Sequence, residues 1–100
     1  MAKKQIYKNY NEFLKDELKD PKFAMAYLNE ALQDENQNVF LIALKDVLEA
    51  QEADITAVTK KAHINRQNFY RMLSKQGNPR WSSITSLIDA MGLQVQISLK

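Results

Sequence analysis

One stretch of the sequence, residues 55–81, constrains the fold more than any other, because it holds two short helical patterns separated by a break. In the first pattern, Ile55, Val58 and Ala62 are three and four residues apart, so they share one helix face. The second pattern also collects its apolar residues on one face: Ile64, Phe69, Met72 and Leu73. Two short helices that each bury one face are therefore expected here.

The break between these patterns falls at His63-Ile64, and Asn65 stands where the N-cap of a helix is expected. The other face of the second helix carries hydrogen-bonding side chains and an aromatic ring: Arg66, Gln67, Tyr70, Arg71 and Ser74. This arrangement is typical of a helix-turn-helix motif. Arg can bond to both guanine acceptors, and Gln or Asn can bond to both adenine groups. We therefore predict that the base-reading residues are Asn65, Arg66, Gln67, Tyr70 and Arg71.

An ordinary solvated helix face would also carry charged side chains, and the distribution of charge distinguishes the two interpretations. Residues 55–88 contain six Lys or Arg and no Asp or Glu, whereas solvated faces usually mix the two signs. A patch of one sign on one supersecondary unit favours phosphate binding. The predicted phosphate contacts are Lys60, Lys75, Asn78 and Arg80.

Composition narrows the possible classes of protein. The chain has 100 residues, 45% of them hydrophobic, and its two Gly and two Pro favour helices over a turn-rich β fold. Without cysteine and with His63 as its one histidine, it has no disulfide, and we predict no metal site and no cofactor. No nucleophile motif accompanies His63, so we do not expect an enzyme. No targeting segment or apolar run of membrane-spanning length is present, which predicts a cytoplasmic protein without a membrane partner.

Local signals mark the ends of the other helices. Asp20-Pro21 predicts a helix start, with a helix that ends near Asp34, and Asn38 is the expected cap of the next helix, the most apolar one and the centre of the core. After the second helix of the motif, Gly77 is expected to permit a left-handed cap. A last helix is expected to be capped by Ser82 or Ser83 and to cover Trp81.

The C-terminal residues 93–99 alternate strictly between apolar and polar side chains. This pattern predicts one β-strand. Since the chain has no second strand pattern, we expect the strand to pair with another copy and to form a homodimer. The predicted dimer contacts are Leu93, Val95, Ile97 and Leu99.

The N-terminal residues 1–20 form a short amphipathic segment. We predict that they make an arm and that residues 21–100 make the helix-turn-helix domain. Residues 1–54 carry seven Lys and eleven acidic residues, whereas residues 55–100 carry seven basic residues and one acid, so the acidic part suits a basic protein. The apolar stripe of the arm could pack on the protein's own core or bind such a partner: Tyr7, Tyr10, Phe13, Leu14 and Leu18.

The order of these motifs resembles the HigA-type addiction-module antidote proteins of the Xre or lambda-repressor-like helix-turn-helix group. The resemblance covers residues 23–99 and is carried by AYLNEALQDENQNVFLIALKDVLEA, ITAVTKKAHINRQNFYRMLSKQGNPRW and LIDAMGLQVQISL. It implies a mainly α, lambda-repressor-like domain of five to six helices with one C-terminal β-strand. It also implies a repressor that binds a palindromic double-stranded DNA operator, and an antitoxin that neutralises a small basic RelE- or HigB-like messenger-RNA-cleaving toxin.

The sequence departs from the family pattern at two positions. His63 stands at the turn position usually held by Gly, and Thr59 replaces a smaller residue of the first helix. Histidine tolerates left-handed backbone better than most residues, so the turn is still expected. Two other functions stay open, a solitary prophage-type regulator without a toxin and a helical adaptor whose basic face binds an acidic protein or RNA.

Overall fold

Six α-helices form the regular structure in a computed structural model that describes the backbone of residues 2–100 and the side chains of residues 10–100. The chain divides into two compact units, Met1–Ala53 and Asp54–Lys100, with three helices in each. The helices are α1 (Ala2–Glu17), α2 (Pro21–Ala31), α3 (Gln37–Ala50), α4 (Ile55–Ala62), α5 (Arg66–Met72) and α6 (Trp81–Ala90). No helix in this part of the chain is long and apolar enough to cross a lipid bilayer.

Helix α3 is the centre of the first unit, because both α1 and α2 pack against it. Its apolar residues lie on more than one side of the helix, so more than one face can pack against a neighbouring helix. It buries Phe40, Leu41, Ala43, Leu44, Val47, Leu48 and Ala50. The prediction that this helix lies at the centre of the core is confirmed for the first unit.

Side-chain caps fix the starts of α2 and α3. Asp20 caps α2 by accepting a hydrogen bond from the Lys22 N–H at 3.1 Å, as predicted from Asp20-Pro21. Helix α3 is capped by Asn36, whose side chain accepts from the Asn38 N–H at 3.0 Å. The expectation that Asn38 is the cap was wrong, because both asparagines lie in one polar connection and either can supply the acceptor.

A polar contact joins α2 to α3. The Tyr27 hydroxyl donates to an Asp46 carboxylate oxygen at 3.0 Å, and both side chains are half-buried. Burial is the main cause that raises the pKa of Tyr27 to about 12, and the hydrogen bond and charge of Asp46 add to it. Burial also raises the pKa of Asp46, which the hydrogen bond from Tyr27 partly offsets. The phenol therefore stabilises a carboxylate that has lost part of its hydration.

In the second unit, α4 packs against both α5 and α6. The short helices of this unit contribute their apolar faces to a common interior, which compensates for the low stability of isolated helices of this length. The buried residues are Thr59, Ala62, Phe69, Met72, Leu73, Ile84, Leu87 and Ile88.

Gly77 lies in the loop between α5 and α6, where the chain passes close to the end of α5. A Cβ atom at this position would collide with the backbone carbonyl oxygen of Met72. Gly77 is buried and its φ is not positive, so the predicted left-handed cap was wrong. Glycine is needed here because the backbone approaches another backbone too closely for any side chain.

Helix α6 begins at Trp81, with Arg80 at the cap position and no side-chain cap. Ser82 and Ser83 are therefore inside the helix, contrary to the predicted cap. Trp81 is 63% exposed, so the expectation that it packs beneath the helix was also wrong. As the first residue of the helix, Trp81 is at the end of the apolar face that Ile84 and Leu87 continue into the interior.

The predicted C-terminal β-strand is absent: no residue from Ala2 to Lys100 is in a β-strand, and residues 93–100 are irregular. Strand formation requires a second strand to accept and donate backbone hydrogen bonds, and the described chain offers none. Ile97 and Leu99 are 97% and 99% exposed, so the alternation of side chains does not correspond to a buried face. The fold class is therefore all-helical in the described residues, and the mainly α part of the prediction is confirmed.

The contact between Tyr27 and Asp46 makes a pH-dependent prediction. Tyr27→Phe should lower the free energy of unfolding by about 1–2 kcal/mol at pH 7, where a half-buried carboxylate loses its donor. The folded-state pKa of Asp46 is raised, so its protonation on acidification favours the fold, and without the phenol this pKa rises further. The loss of unfolding free energy caused by Tyr27→Phe should therefore be smaller at pH 3 than at pH 7, as measured by urea denaturation. Tyr10→Phe, at an exposed position, is the control; an equal loss at both pH values for Tyr27→Phe would contradict the assignment.

Candidate nucleic-acid interface

The turn that sets the direction of α5 relative to α4 depends on His63. This residue has φ 58° and ψ 41°, in the left-handed region. Its N–H donates to the Lys60 carbonyl at 3.2 Å, and the Ile64 N–H donates to the Thr59 carbonyl at 2.9 Å. These bonds satisfy carbonyl groups that the end of a helix leaves without partners. The expectation of left-handed backbone at His63 is confirmed.

Thr59, the second departure from the family pattern, is accommodated by local hydrogen bonds. Its side chain is buried in α4, and its hydroxyl donates to the carbonyls of Ile55 at 2.9 Å and Thr56 at 3.1 Å. A buried hydroxyl without such an acceptor would destabilise the helix packing. Neither His63 nor Thr59 belongs to α5, so neither is part of its exposed face.

Helix α5 separates its residues into a buried and an exposed face. Phe69 and Met72 are buried, and so is Leu73, which follows the helix. These residues pack the helix onto its unit, so the opposite face is directed to solvent. The five predicted base-reading residues are all exposed: Asn65, Arg66, Gln67, Tyr70 and Arg71.

Asn65 also has a structural role, since its side-chain oxygen accepts a hydrogen bond from the Asn68 N–H at 2.8 Å. This bond makes Asn65 the N-cap of α5, as the sequence predicted. The side-chain oxygen is therefore used within the protein, and the amide NH₂ is the group left to bind a ligand. Of the five predicted base-reading residues, Asn65 is thus the one with a divided role.

Two aromatic contacts hold the exposed face of α5 in place. The guanidinium carbon of Arg66 lies 5.9 Å from the centre of the Tyr70 ring, within cation–π distance. Tyr70 in turn contacts the buried Phe69 edge to face, with 5.1 Å between ring centres. Tyr70 is thereby anchored to the interior and restrains Arg66, which reduces the side-chain entropy that Arg66 loses on binding.

The four predicted phosphate contacts are all exposed and lie at the borders of α5. Lys60 is in the last turn of α4, Lys75 and Asn78 follow α5, and Arg80 precedes α6. A groove of about 530 Å³ runs beside α5 and includes Arg71 and Asn78 in its lining. The groove therefore brings Asn78 together with Arg71, whereas Lys60, Lys75 and Arg80 do not line it.

The basic residues of this unit are not neutralised by neighbouring carboxylates. In the part of the chain with described side chains, the ion pairs are Lys19–Asp16 at 3.3 Å and Lys45–Glu49 at 3.8 Å, both in the first unit. Asp89 is the one acidic residue after Asp54. The Lys and Arg side chains around α5 are consequently available for an anionic partner.

Sequence reasoning missed two donors beside α5. Asn68 and Gln76 are exposed and line the same groove as Arg71. Asn68 is three residues after Asn65, so helical spacing alone places both at the start of α5, and this signal was available. Gln76 lies in the loop that Gly77 brings close to α5, and no pattern in the sequence gives the path of that loop.

The predicted partner-binding stripe of the N-terminal segment is divided by the structure. Tyr10 and Phe13 are exposed on α1, Leu14 is half-buried and Leu18 is 1% exposed. Tyr7 lies outside the residues whose side chains are described. Helix α1 packs on α3, so Leu18 is part of the protein's own interior, whereas Tyr10 and Phe13 are accessible to a partner.

The predicted dimer contacts are at the C-terminal end. Gly92 has φ 78° and ends α6, where the Leu93 N–H donates to the Ile88 carbonyl at 3.1 Å. Leu93 is half-buried, and beyond it Val95, Ile97 and Leu99 are exposed.

Among the described side chains, no three His, Cys, Asp or Glu residues are grouped as a metal site requires.

Comparisons with known proteins give a family assignment. Residues 6–99 match a family model described as "Probable addiction module antidote protein". A protein of Haemophilus influenzae, described as uncharacterized, is 35% identical to this chain over 71 residues, which cover 71% of each protein. No solved structure matches the chain.

The two roles of Asn65 can be separated by substitution. Asn65→Ala should lower the free energy of unfolding by about 1 kcal/mol, because the N-cap of α5 is lost. Asn65→Asp retains an oxygen that can accept from the Asn68 N–H and should unfold like the wild type. Chemical denaturation followed by circular dichroism measures both effects. If Asn65→Ala is as stable as Asn65→Asp, the cap does not contribute to the stability of the fold.

Proposed function

This chain belongs to the family of probable addiction module antidote proteins, and we propose on that basis that it is an antitoxin that represses its own operon and neutralises a small basic, messenger-RNA-cleaving toxin of the RelE or HigB kind. The observation that carries the DNA-binding part is the exposed face of α5, where two arginines, a glutamine and a tyrosine lie in a stretch without acidic residues. An antidote family supports the toxin partner. The proposal places the protein in the cytoplasm, with its DNA.

In this proposal α4 and α5 act as a helix-turn-helix motif of the lambda-repressor-like kind. The N-terminal residues of a recognition helix contact base edges in the major groove. Arg66 and Gln67 hold these positions in α5, and Arg66 is restrained by Tyr70 for this contact. Tyr70, Arg71 and the NH₂ group of Asn65 complete the base-reading set, and the proposed phosphate contacts are Lys60, Lys75, Asn78 and Arg80.

The proposal includes a homodimer, because a palindromic operator presents two equivalent half-sites about one helical turn apart. Val95, Ile97 and Leu99 support this part, since exposed apolar side chains that a second copy covers would contribute to association. This contact does not require regular secondary structure in the C-terminal segment.

The first unit is the proposed surface for the toxin. Residues 1–54 carry four more acidic than basic residues, and a messenger-RNA-cleaving toxin must have basic surface to bind RNA. Tyr10 and Phe13 are accessible aromatic side chains on α1 that can serve as anchors. Tyr7 and Leu14 remain predicted contacts next to them, whereas Leu18 could take part only if α1 left α3.

The base-reading assignment predicts different effects for two cationic side chains. Arg66→Ala should weaken binding to the operator by about 1–3 kcal/mol and relax one base preference, with little effect on random duplex. Lys75→Ala should weaken operator and random DNA equally and lower the slope of log K against log salt by about 0.9. Fluorescence anisotropy measures the affinities of both variants, with DNA from the promoter region of the protein's own gene as the operator and a random duplex for comparison. Equal losses on the two DNAs for a folded Arg66→Ala variant would show that Arg66 does not read bases.

The dimer predicts a loss of self-association when the exposed apolar residues of the C-terminal segment are changed to serine. The triple variant Val95→Ser, Ile97→Ser and Leu99→Ser should dimerise at least about tenfold more weakly in sedimentation equilibrium, because each side chain loses apolar burial. At a concentration where both proteins are monomeric, its melting temperature should equal that of the wild type, since these side chains are exposed in the single chain. Gln94→Ser with Gln96→Ser is the matched control. An unaffected dimer in the triple variant would place the dimer contact elsewhere.

A further inference from the structure

The first unit contains a second apolar surface, a groove of about 420 Å³ between α2 and α3. On α2, Phe23 and Tyr27 are four residues apart and share the face that lines it; on α3, Val39 and Ala43 have the same spacing. Val39 is 38% exposed, so one wall of the groove is an aliphatic side chain in contact with solvent. The space is large enough for one bulky apolar side chain.

The edge of this groove is acidic. Glu30 and Asp34, both exposed, line it at the end of α2. The same two residues line a neighbouring polar depression of about 530 Å³, together with Asn29 and Gln33. Residues 23–44 contain three acidic residues and no Lys or Arg, and among the described side chains neither Glu30 nor Asp34 forms an ion pair. The apolar groove and the polar depression thus share one acidic edge, formed by Glu30 and Asp34.

The groove is preformed rather than open to collapse. The hydrogen bond from Tyr27 to Asp46 fixes the ring of Tyr27 between α2 and α3. A preorganised pocket loses less conformational entropy on binding than a mobile surface does.

We infer that this groove holds an apolar side chain of the toxin, and that Lys or Arg side chains of the toxin next to it bind Glu30 and Asp34. The inference rests on the proposed function, because it takes the toxin partner from it. The charge of the edge selects the occupant. A second copy that docked through its own first unit would bring carboxylates against carboxylates, whereas a basic RNA-binding protein supplies the opposite charge.

Two substitutions test the groove in the full chain, with the small basic protein encoded beside its gene as the probe in isothermal titration calorimetry. Val39→Glu places a carboxylate on the apolar wall of the groove, at a position that is already partly exposed. Glu30→Lys replaces one negative charge of the acidic edge by a positive charge. Each should weaken toxin binding at least about tenfold. Ser86→Glu and Asp89→Lys introduce the same side chains at exposed positions of α6 and should bind like the wild type. Unchanged circular dichroism spectra and melting temperatures of all four variants show that they are folded.

The outcomes separate the inference from the function on which it depends. If the wild type binds the basic protein and both groove variants bind it equally well, the groove inference is overturned and the antitoxin proposal stands. If the wild type does not bind the basic protein, the toxin part of the proposed function fails and the inference fails with it. If Val39→Glu instead abolishes dimerisation of the chain alone, the groove is an interface between copies, which also overturns the inference.

Discussion

The geometry of the second unit depends on one residue in an unfavourable backbone conformation. His63 is left-handed, which costs a residue with a Cβ atom about 1–2 kcal/mol relative to its preferred conformations. The cost is offset by two backbone hydrogen bonds to the end of α4 and by the burial of Phe69 and Met72, which the turn makes possible. If the chain continued as a helix through His63, the apolar faces of α4 and α5 could not both reach the interior. The exposed face of α5 is therefore a consequence of this turn.

Local signals were sufficient to predict several helix starts and the two faces of α5. Asp20 and Asn65 were recognised as caps because an N-cap depends on one side chain and the two or three residues after it. The separation of Arg66 and Gln67 from Phe69 and Met72 follows from helical periodicity, which the sequence contains in full. The exposure of every predicted base-reading and phosphate-binding residue agrees with that local reading, while their binding to DNA stays a prediction.

Two of the wrong predictions, the C-terminal strand and the left-handed cap at Gly77, depend on contacts that a local sequence pattern does not contain. Alternation in residues 93–99 describes a strand only if a partner supplies backbone hydrogen bonds, and alternation contains no information about that partner. Gly77 was assigned to a left-handed cap because glycine is common there, but its actual constraint is the carbonyl oxygen of Met72. The groove between α2 and α3 could not be predicted from the sequence either, because it forms only where the two helices pack together.

The distribution of charge connects the two proposed surfaces. Oppositely charged residues three or four apart on a helix neutralise each other locally, as Lys19 with Asp16 and Lys45 with Glu49 do. Residues 23–44 lack a base and residues 55–88 lack an acid, so neither stretch can form such pairs within itself. Like charges on neighbouring helix turns repel, and screening limits their influence to about 8 Å at physiological salt. Charge left in this state does not stabilise its own stretch, and it attracts a molecule of opposite charge that comes within this distance. A phosphate backbone and a basic protein are the partners that match the two signs.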